Sequence, residues 1–206
     1  MAKLDYKKEY KQLYNTAQKG VTVVEVPEFN YIMTDGEGDP NSSPLFQEAA
    51  SALFSVSYTL KFMIKKGPTG VDYGVMPLEG QWWTDNMSEF NMEDKSNWKW
   101  TLMILQPEFV TRELFEKAAE EVRLKKKIEA VGRLRFESLK EGLCAQIVHI
   151  GPFSGEGPTV AKLHEYMRDN GYDFNGKHRE IYTSDINKAA PENWKTIIRQ
   201  PVRKLS

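Results

Sequence analysis

The chain has 206 residues, of which 40% are hydrophobic and 12% aromatic, so it can form one domain with a sizeable core. Its 28 Lys and Arg residues against 29 Asp and Glu residues leave a formal charge of −1, which disfavours nucleic-acid binding. No apolar run reaches the roughly 20 residues of a membrane span, and the first residues are too charged for a signal peptide. We therefore expect a cytoplasmic protein that does not contact membranes.

The first half of the chain alternates strand and helix patterns after a short N-terminal stretch. Ser43 followed by Pro44 is typical of a helix start, and Gly67 is typical of a helix end. Runs of β-branched and apolar residues bounded by turn formers predict the strands. In chain order we expect a helix over 4–18, a strand over 21–33, a helix over 44–66, strands over 71–83 and 97–105, and a polar connection over 84–96.

The second half repeats this order after a charged helix. Residues 112–127 combine one apolar side with Glu–Lys pairs four residues apart, which predicts an exposed connecting helix. The elements predicted next are a strand over 142–150, a helix over 158–170, and strands near 177–183 and 194–199. We expect a single domain with repeat one over about 21–110, a connecting helix over about 111–130 and repeat two over about 142–203.

Matching motifs occur at equivalent points of the two halves. An Asn-Trp-Lys motif at 97–99 and another at 193–195 mark the last strand of each half. A Gly-Glu-Gly motif at 36–38 and another at 155–157 each precede a proline and a helix. Copies of one unit usually pack about a pseudo-two-fold axis, because each copy alone leaves an apolar face uncovered. The sequence thus predicts an α+β fold of two tandem βαββ modules, with a ligand cleft between them and an N-terminal helix.

Common cofactor and metal motifs are missing from the sequence. It has no phosphate-binding loop, no dinucleotide-binding fingerprint and no Cys-x-x-Cys pair. His149, His164 and His178 fall on three different predicted elements without the spacing of metal ligands. The single cysteine, Cys144, lies in an apolar strand pattern, which favours a packing role over that of a nucleophile. We therefore expect no cofactor and no metal.

Carboxylates near aromatic residues are the remaining candidates for chemistry. Strand alternation places His178, Glu180 and Tyr182 on one face. If that face points into the cleft, burial raises the proton affinity of Glu180, which could act as a general base or hold a cationic ligand. A solvent-facing strand with ordinary polar residues is the alternative. Glu156 precedes a helix N-terminus, where capping of the helix is the competing explanation.

Aromatic residues accompany these acids. Trp82, Trp100, Phe153 and Tyr58 lie near the predicted loops and strand faces, and some aromatic residues must simply fill the core. A surplus of aromatic surface near carboxylates suits a hydrophobic, aromatic or cationic small molecule, held by stacking and cation–π attraction.

Longer stretches of the chain resemble the GyrI-like small-molecule-binding family. They are His-Ile-Gly-Pro at 149–152, Glu-Gly-Pro-Thr at 156–159, the stretches 177–185 and 196–202, Pro-Leu-Glu-Gly-Gln-Trp-Trp at 77–83 and Trp-Lys-Trp at 98–100. The resemblance covers nearly the whole chain and implies two βαββ modules around a central cleft. Many members carry a DNA-binding helix-turn-helix, and the N-terminal stretch here is too short to hold one.

The chain is most similar to free-standing members that hydrolyse the strained cyclopropane of DNA-alkylating natural products and thereby protect the cell. This resemblance implies that carboxylates orient and deprotonate a water molecule that attacks an electrophilic ring carbon. The matching carboxylates are Glu156 and Glu180. Tyr182 would hydrogen-bond the ligand, and Trp82, Trp100 and Phe153 would form walls of the cleft.

Two other functions remain open on the sequence alone. One is binding or sequestration of a hydrophobic or cationic small molecule without chemistry. The other is inhibition of a macromolecular partner, which the sequence does not identify.

Overall fold

The strands of this computed structural model close into an antiparallel barrel that carries helices on its outside. The structure describes residues 3–15, 17, 19–85 and 95–205. The helices are α1 (Tyr6–Glu9), α2 (Lys11–Tyr14), α3 (Pro44–Lys66), α4 (Arg112–Lys126) and α5 (Gly157–Asp169). The strands are β1 (Thr22–Glu37), β2 (Leu78–Trp83), β3 (Lys99–Gln106), β4 (Arg135–Ile150), β5 (Tyr172–Phe174), β6 (His178–Tyr182) and β7 (Lys195–Lys204). Across these described ranges, no helix combines the length and the apolar character needed to cross a bilayer.

Strand pairing shows how the internal repeat builds the barrel. The order is β4-β1-β3-β2-β6-β7, all neighbours are antiparallel, and β7 pairs back onto β4. The first module is β1-α3-β2-β3 and the second is β4-α5-β6-β7, with β5 added at the edge of β7. The equivalent strands β1 and β4 pair with each other, and so do β2 and β6. Antiparallel pairing of equivalent strands is what a two-fold relation produces, so the predicted fold of two βαββ modules is confirmed.

The long helices α3 and α5 cover the outer face of the barrel. The apolar side of α3 packs on β1 and β3 through the buried residues Leu53, Val56 and Leu60. The shorter α5 covers β4 with Leu163 and Met167. Removing one such side chain from water contributes about 1.5–3 kcal/mol, so each helix is held to the sheet mainly by this face. The connecting helix α4 packs mainly against α3, and at its start it reaches β4, where Phe115 stacks on Phe136 and Arg112 donates to the Phe136 carbonyl at 2.7 Å.

The inside of the barrel holds buried ion pairs. The Arg179 guanidinium donates two hydrogen bonds to Glu79 Oε2, at 2.8 and 2.5 Å, and lies 2.8 Å from Glu141 Oε2. Arg199 lies 3.4 Å from the same Glu141 oxygen. Buried charges are tolerated only when they are paired and hydrogen-bonded, and these two cations face two carboxylates.

The N-terminal segment closes one end of the barrel. The Tyr14 hydroxyl donates to Glu79 Oε1 at 2.9 Å, and Arg199 Nη2 donates to the Leu13 carbonyl at 2.7 Å. The prediction of a single N-terminal helix over 4–18 is wrong, because the chain forms α1 and α2 with a break at Tyr10, where ψ is 47°. These contacts to the barrel override the helical spacing of the apolar residues.

Another boundary in the first half differs from the sequence-based expectation. The strand predicted over 71–83 begins only at Leu78, because Asp72 and Gly74 form hydrogen bonds with the backbone of Leu4 instead. Residues 86–94 of the polar connection expected over 84–96 lie outside the described residues.

Gly36→Ala is expected to destabilise the protein by about 1–3 kcal/mol, because overpacking forces its surroundings to move. Gly36 on β1 is paired with Trp100 on β3, and an added Cβ would overlap the six-membered ring of this indole. Chemical denaturation measures the change. Gly132→Ala is the matched control, since its added Cβ meets nothing within 4 Å. If both variants lost the same free energy of unfolding, overlap between the added Cβ and the Trp100 ring would not be the cause of the loss at Gly36.

Candidate functional site

The predicted catalytic carboxylates lie on the helix-covered face of the sheet, at the seam where β2 and β6 join the two modules. This pairing places Glu180 opposite Gly80 of the first module. On its other side Glu180 is opposite Ile198, which packs beneath α5. Arg179 points the other way, into the barrel. The alternation predicted for this strand is therefore present, and the alternative of a solvent-facing strand is wrong because Glu180 is only 6% exposed.

Glu180 is held by its two neighbours on the same strand face. The Tyr182 hydroxyl donates to Glu180 Oε2 at 2.7 Å, and His178 Nε2 lies 3.3 Å from Glu180 Oε1. Burial alone would raise the pKa of Glu180, but the hydrogen bonds from His178 and Tyr182, together with the charge of Lys95, lower it below its usual value. Glu180 is therefore the ionised carboxylate of the site. Burial, followed by the charge of Glu180, raises the pKa of Tyr182 well above its usual value, so Tyr182 stays a hydrogen-bond donor.

Glu156 approaches the same point from the second module. It is the residue before α5, its backbone carbonyl accepts hydrogen bonds from Thr159 and Val160, and its side chain makes no capping hydrogen bond. The capping explanation is thus wrong. The side chain is 2% exposed, and its Oε1 has no hydrogen-bond partner among the described residues.

Glu156 and Glu180 have opposite protonation states near neutral pH. Burial, followed by the negative charge of Glu180, raises the pKa of Glu156 to about 9, although the Thr196 hydroxyl and Lys95 act in the other direction. Ionising both of two neighbouring buried carboxyl groups has a large free-energy cost, so the pair retains one proton. The arrangement supplies one proton acceptor and one proton donor side by side.

Aromatic rings surround this pair. Trp82 is opposite His178 on the neighbouring strand, is 2% exposed and stacks on Phe46 with ring centroids 5.9 Å apart. The rings of Phe153 and Tyr182 meet edge to face, with their centroids 5.4 Å apart. These rings keep the carboxyl groups in an apolar environment, which strengthens every electrostatic interaction there.

An opening of about 300 Å³ lies beside the turn that carries Glu156. Its walls come from the two equivalent loops before α3 and α5 and from the segment before β3, and its lining residues are Asp39, Asn41, Lys95, Phe153, Ser154, Gly157 and Pro158. Two loops related by the internal repeat therefore flank this opening. A second cavity of about 230 Å³ lies elsewhere, with Asp35, Trp83 and Lys177 in its lining.

The structure brings together most of the residues that the sequence singled out. Contacts or strand pairing link Glu156, Glu180, His178, Tyr182, Phe153 and Trp82. Trp100 is fully buried against Phe46, with ring centroids 5.5 Å apart. Tyr58 is 48% exposed on α3 and contacts the Phe54 ring. Among the described residues, neither Trp100 nor Tyr58 has a hydrogen bond or ring contact with Glu156, Glu180 or Tyr182.

Two site residues were missed by the sequence analysis. Thr196 is fully buried and is paired with Tyr182 across the strands, and its hydroxyl has no partner with hydrogen-bond geometry in the described chain. A threonine in an apolar strand carries no signal of its own. Lys95 acts on both glutamates through its charge, but it lies in a polar stretch typical of a solvated loop. No group of three or more potential metal-binding side chains occurs within the described ranges.

Glu156→Gln is expected to raise the melting temperature, by an amount that grows from about pH 5 to about pH 9. Folding raises the pKa of Glu156, so the unfolded chain loses its proton at lower pH than the folded chain does. Stability of the unmodified protein therefore falls through this window, whereas glutamine stays neutral. Calorimetry measures the difference, with about 2–4 °C expected for each kcal/mol. A gain that does not change with pH would contradict a neutral buried Glu156.

Comparison with known proteins places this chain in a family. The profile of the GyrI-like small molecule binding domain matches residues 20–203. A search of curated protein sequences gives no match.

Three solved structures from Listeria innocua are similar over the full chain. An uncharacterized conserved protein is 41% identical, with a TM-score of 0.89 over 98% of this chain and 100% of that one. A hydrolase encoded by lin2189 is 40% identical, with a TM-score of 0.87 and the same coverage of both chains. Another hydrolase is 39% identical, with a TM-score of 0.84 over 98% of this chain and 100% of that one. With its duplicated βαββ barrel, the chain belongs to the GyrI-like small-molecule-binding family.

Proposed function

We propose that this protein is a hydrolase that opens the strained cyclopropane ring of hydrophobic electrophiles and so detoxifies them. The observation that carries the proposal is the buried pair of one neutral and one ionised carboxyl group, Glu156 and Glu180, beside the Tyr182 hydroxyl. A pair of titratable groups whose surroundings separate their protonation states suits combined acid and base catalysis.

In the proposed reaction the pair adds one water molecule across a ring bond. Glu180 takes a proton from the water while the water oxygen bonds to the ring carbon. The C–C bond of the ring breaks, and its electrons move onto a conjugated carbonyl oxygen of the substrate. Glu156 gives its proton to that oxygen, after which a proton passes from Glu180 to Glu156 and restores the starting state. The Tyr182 hydroxyl, which donates its own proton to Glu180, orients the water by accepting a hydrogen bond from it.

The relatives support the reaction class. Two proteins about 39–40% identical to this chain are hydrolases. The choice of a strained ring as the target is based on the resemblance of the sequence to cyclopropanoid hydrolases. The aromatic side chains around the carboxyl pair suit a flat, hydrophobic substrate.

A second candidate function is binding without chemistry. The ionised Glu180 among the rings of Tyr182, Trp82 and Phe153 resembles a cage that holds an organic cation by charge and cation–π attraction. Such a protein would sequester its ligand and release it unchanged.

Stoichiometry separates the two functions. The full chain is mixed with an excess of a spirocyclopropyl dienone, and the product is followed by mass spectrometry. The hydrolase converts many equivalents into a product heavier by one water molecule. If the loss of free substrate stops at one equivalent per protein and the intact compound is recovered on denaturation, the protein sequesters its ligand and does not hydrolyse it.

A further inference from the structure

His149 lies directly behind the turn that carries Glu156. It is on β4, paired across the strands with Thr196, and is 7% exposed. Its Nδ1 lies 2.9 Å from the Thr159 hydroxyl, and its Nε2 lies 3.2 Å from the Pro152 carbonyl oxygen. One imidazole therefore contacts the chain on both sides of Glu156, four residues before it and three residues after it.

The chemistry of the two partners assigns the tautomer of the neutral ring. A carbonyl oxygen can only accept, so Nε2 carries the proton and donates to Pro152. Nδ1 is then the acceptor, and the Thr159 hydroxyl donates to it. Both ring nitrogens are satisfied, and both hydrogen bonds connect β4 to the turn and to the first turn of α5.

The turn is wrapped closely around this ring. Gly151 has φ +137°, and a Cβ there would lie 3.3 Å from His149 Nε2. A Cβ on Gly155 would lie 3.7 Å from His149 Cε1. The turn is also closed within itself, because Gly155 N donates to the Pro152 carbonyl at 2.8 Å and Thr159 N donates to the Glu156 carbonyl at 2.9 Å. Movement of the turn away from the sheet would break the contacts of His149.

Holding this turn against the sheet keeps the Glu156 side chain in its buried position. Glu156 is buried, one of its oxygens lacks a partner, and the ionised Glu180 lies beside it. Its neighbours Ser154 and Gly155 are exposed, so a small rotation of the turn would bring the carboxyl group into water. Solvation favours that rotation, and the described contacts of the turn oppose it.

We propose that His149 is the positioning residue of the carboxyl pair: through its hydrogen bonds to Pro152 and Thr159 it holds the 152–159 turn so that Glu156 stays buried against Glu180. The groups that face Glu156 from the surrounding elements are Glu180 and Tyr182 of β6, Thr196 of β7 and Lys95 before β3. His149 touches neither the substrate nor the reacting atoms. Its effect on catalysis rests on the proposed function, whereas its effect on Glu156 does not.

The test is a carboxyl-carbon NMR titration of the full chain labelled at glutamate, with Glu156→Gln used to assign the signal. Thr159→Val removes the hydroxyl and keeps the shape, Thr159→Ser keeps the hydroxyl, and His149→Leu removes both hydrogen bonds. In the unmodified protein and in Thr159→Ser, we expect Glu156 to titrate far above the ordinary range of glutamate. In Thr159→Val and His149→Leu, we expect its titration to move towards that range by at least about one pH unit, which is the direction that solvation gives.

A mere packing role would lower the melting temperature of Thr159→Val and leave the Glu156 titration where it was, and this result would overturn the proposal. If His149→Leu does not fold, the Thr159 pair alone decides. Turnover assays keep the two proposals apart. If Glu156 titrates at high pH in the unmodified protein and at lower pH in Thr159→Val, but no cyclopropane substrate is turned over, only the hydrolase proposal is rejected. If the substrate is turned over and Glu156 titrates at the same pH in Thr159→Val as in the unmodified protein, only the positioning role is rejected.

Discussion

Glu180→Gln is expected to lower the turnover of a cyclopropane substrate by about 10²–10⁴-fold, the range that general acid–base catalysis contributes, with substrate affinity changed little. Glutamine keeps the shape of the side chain and still accepts a hydrogen bond from Tyr182, but it cannot take a proton from water. Single-turnover kinetics together with calorimetric titration of a ring-opened product separate the chemical step from binding.

The matched control is Glu28→Gln, because Glu28 is an exposed carboxylate on β1. It should leave both turnover and binding unchanged. Glu156→Gln should also stop conversion while binding remains. If Glu180→Gln changes the melting temperature and not the activity, Glu180 is a structural carboxylate and the assignment of the site is wrong.

Arg179→Met is expected to destabilise the protein by about 3–5 kcal/mol, because removal of one partner leaves buried charges without compensation. Both Glu79 and Glu141 lie against this guanidinium inside the barrel, and both side chains are buried. Burial alone would lower the pKa of Arg179, but the negative charges of Glu141 and Glu79 outweigh burial and raise it well above its usual value, so the cation is always present. The melting temperature should fall by roughly 6–20 °C, since each kcal/mol corresponds to about 2–4 °C in a chain of this size.

Lys117→Met provides the control on an exposed ion pair. Lys117 and Glu113 are 2.7 Å apart on α4, with 60% and 76% of their side chains exposed. Solvent screens such a pair, so little change in stability is expected. If Arg179→Met and Lys117→Met had the same melting temperature, an apolar side chain could replace the buried arginine without loss of stability, and the prediction would be wrong.

The doubled architecture could be predicted because its signals are local. The Gly-Glu-Gly motifs at 36–38 and 155–157 and the Asn-Trp-Lys motifs mark equivalent points of the two halves, and strand alternation is enough to put His178, Glu180 and Tyr182 on one face. Such patterns depend on neighbouring residues only. They fail where tertiary contacts decide, as at the N-terminal helix, which breaks at Tyr10 because α2 closes the barrel.

The interior of the barrel could not be predicted for the same reason. Arg179 and Glu79 are 100 residues apart, and each looks like a polar residue on a solvated strand face until closure of the sheet brings them together. The environment of Glu156 is equally non-local. Its raised pKa comes from burial and from Glu180 of another element, and a lone glutamate before a helix resembles a cap.

The central claim is that ligands bind at the seam between the modules, against Glu156 and Glu180. A crystal structure of Glu180→Gln soaked with an aromatic cyclopropane compound tests it most directly. We predict that the compound enters through the opening lined by Lys95 and Phe153 and places its ring carbon beside residues 156 and 180. Density only in the second cavity, near Asp35 and Lys177, with Glu156 still covered, would contradict the account.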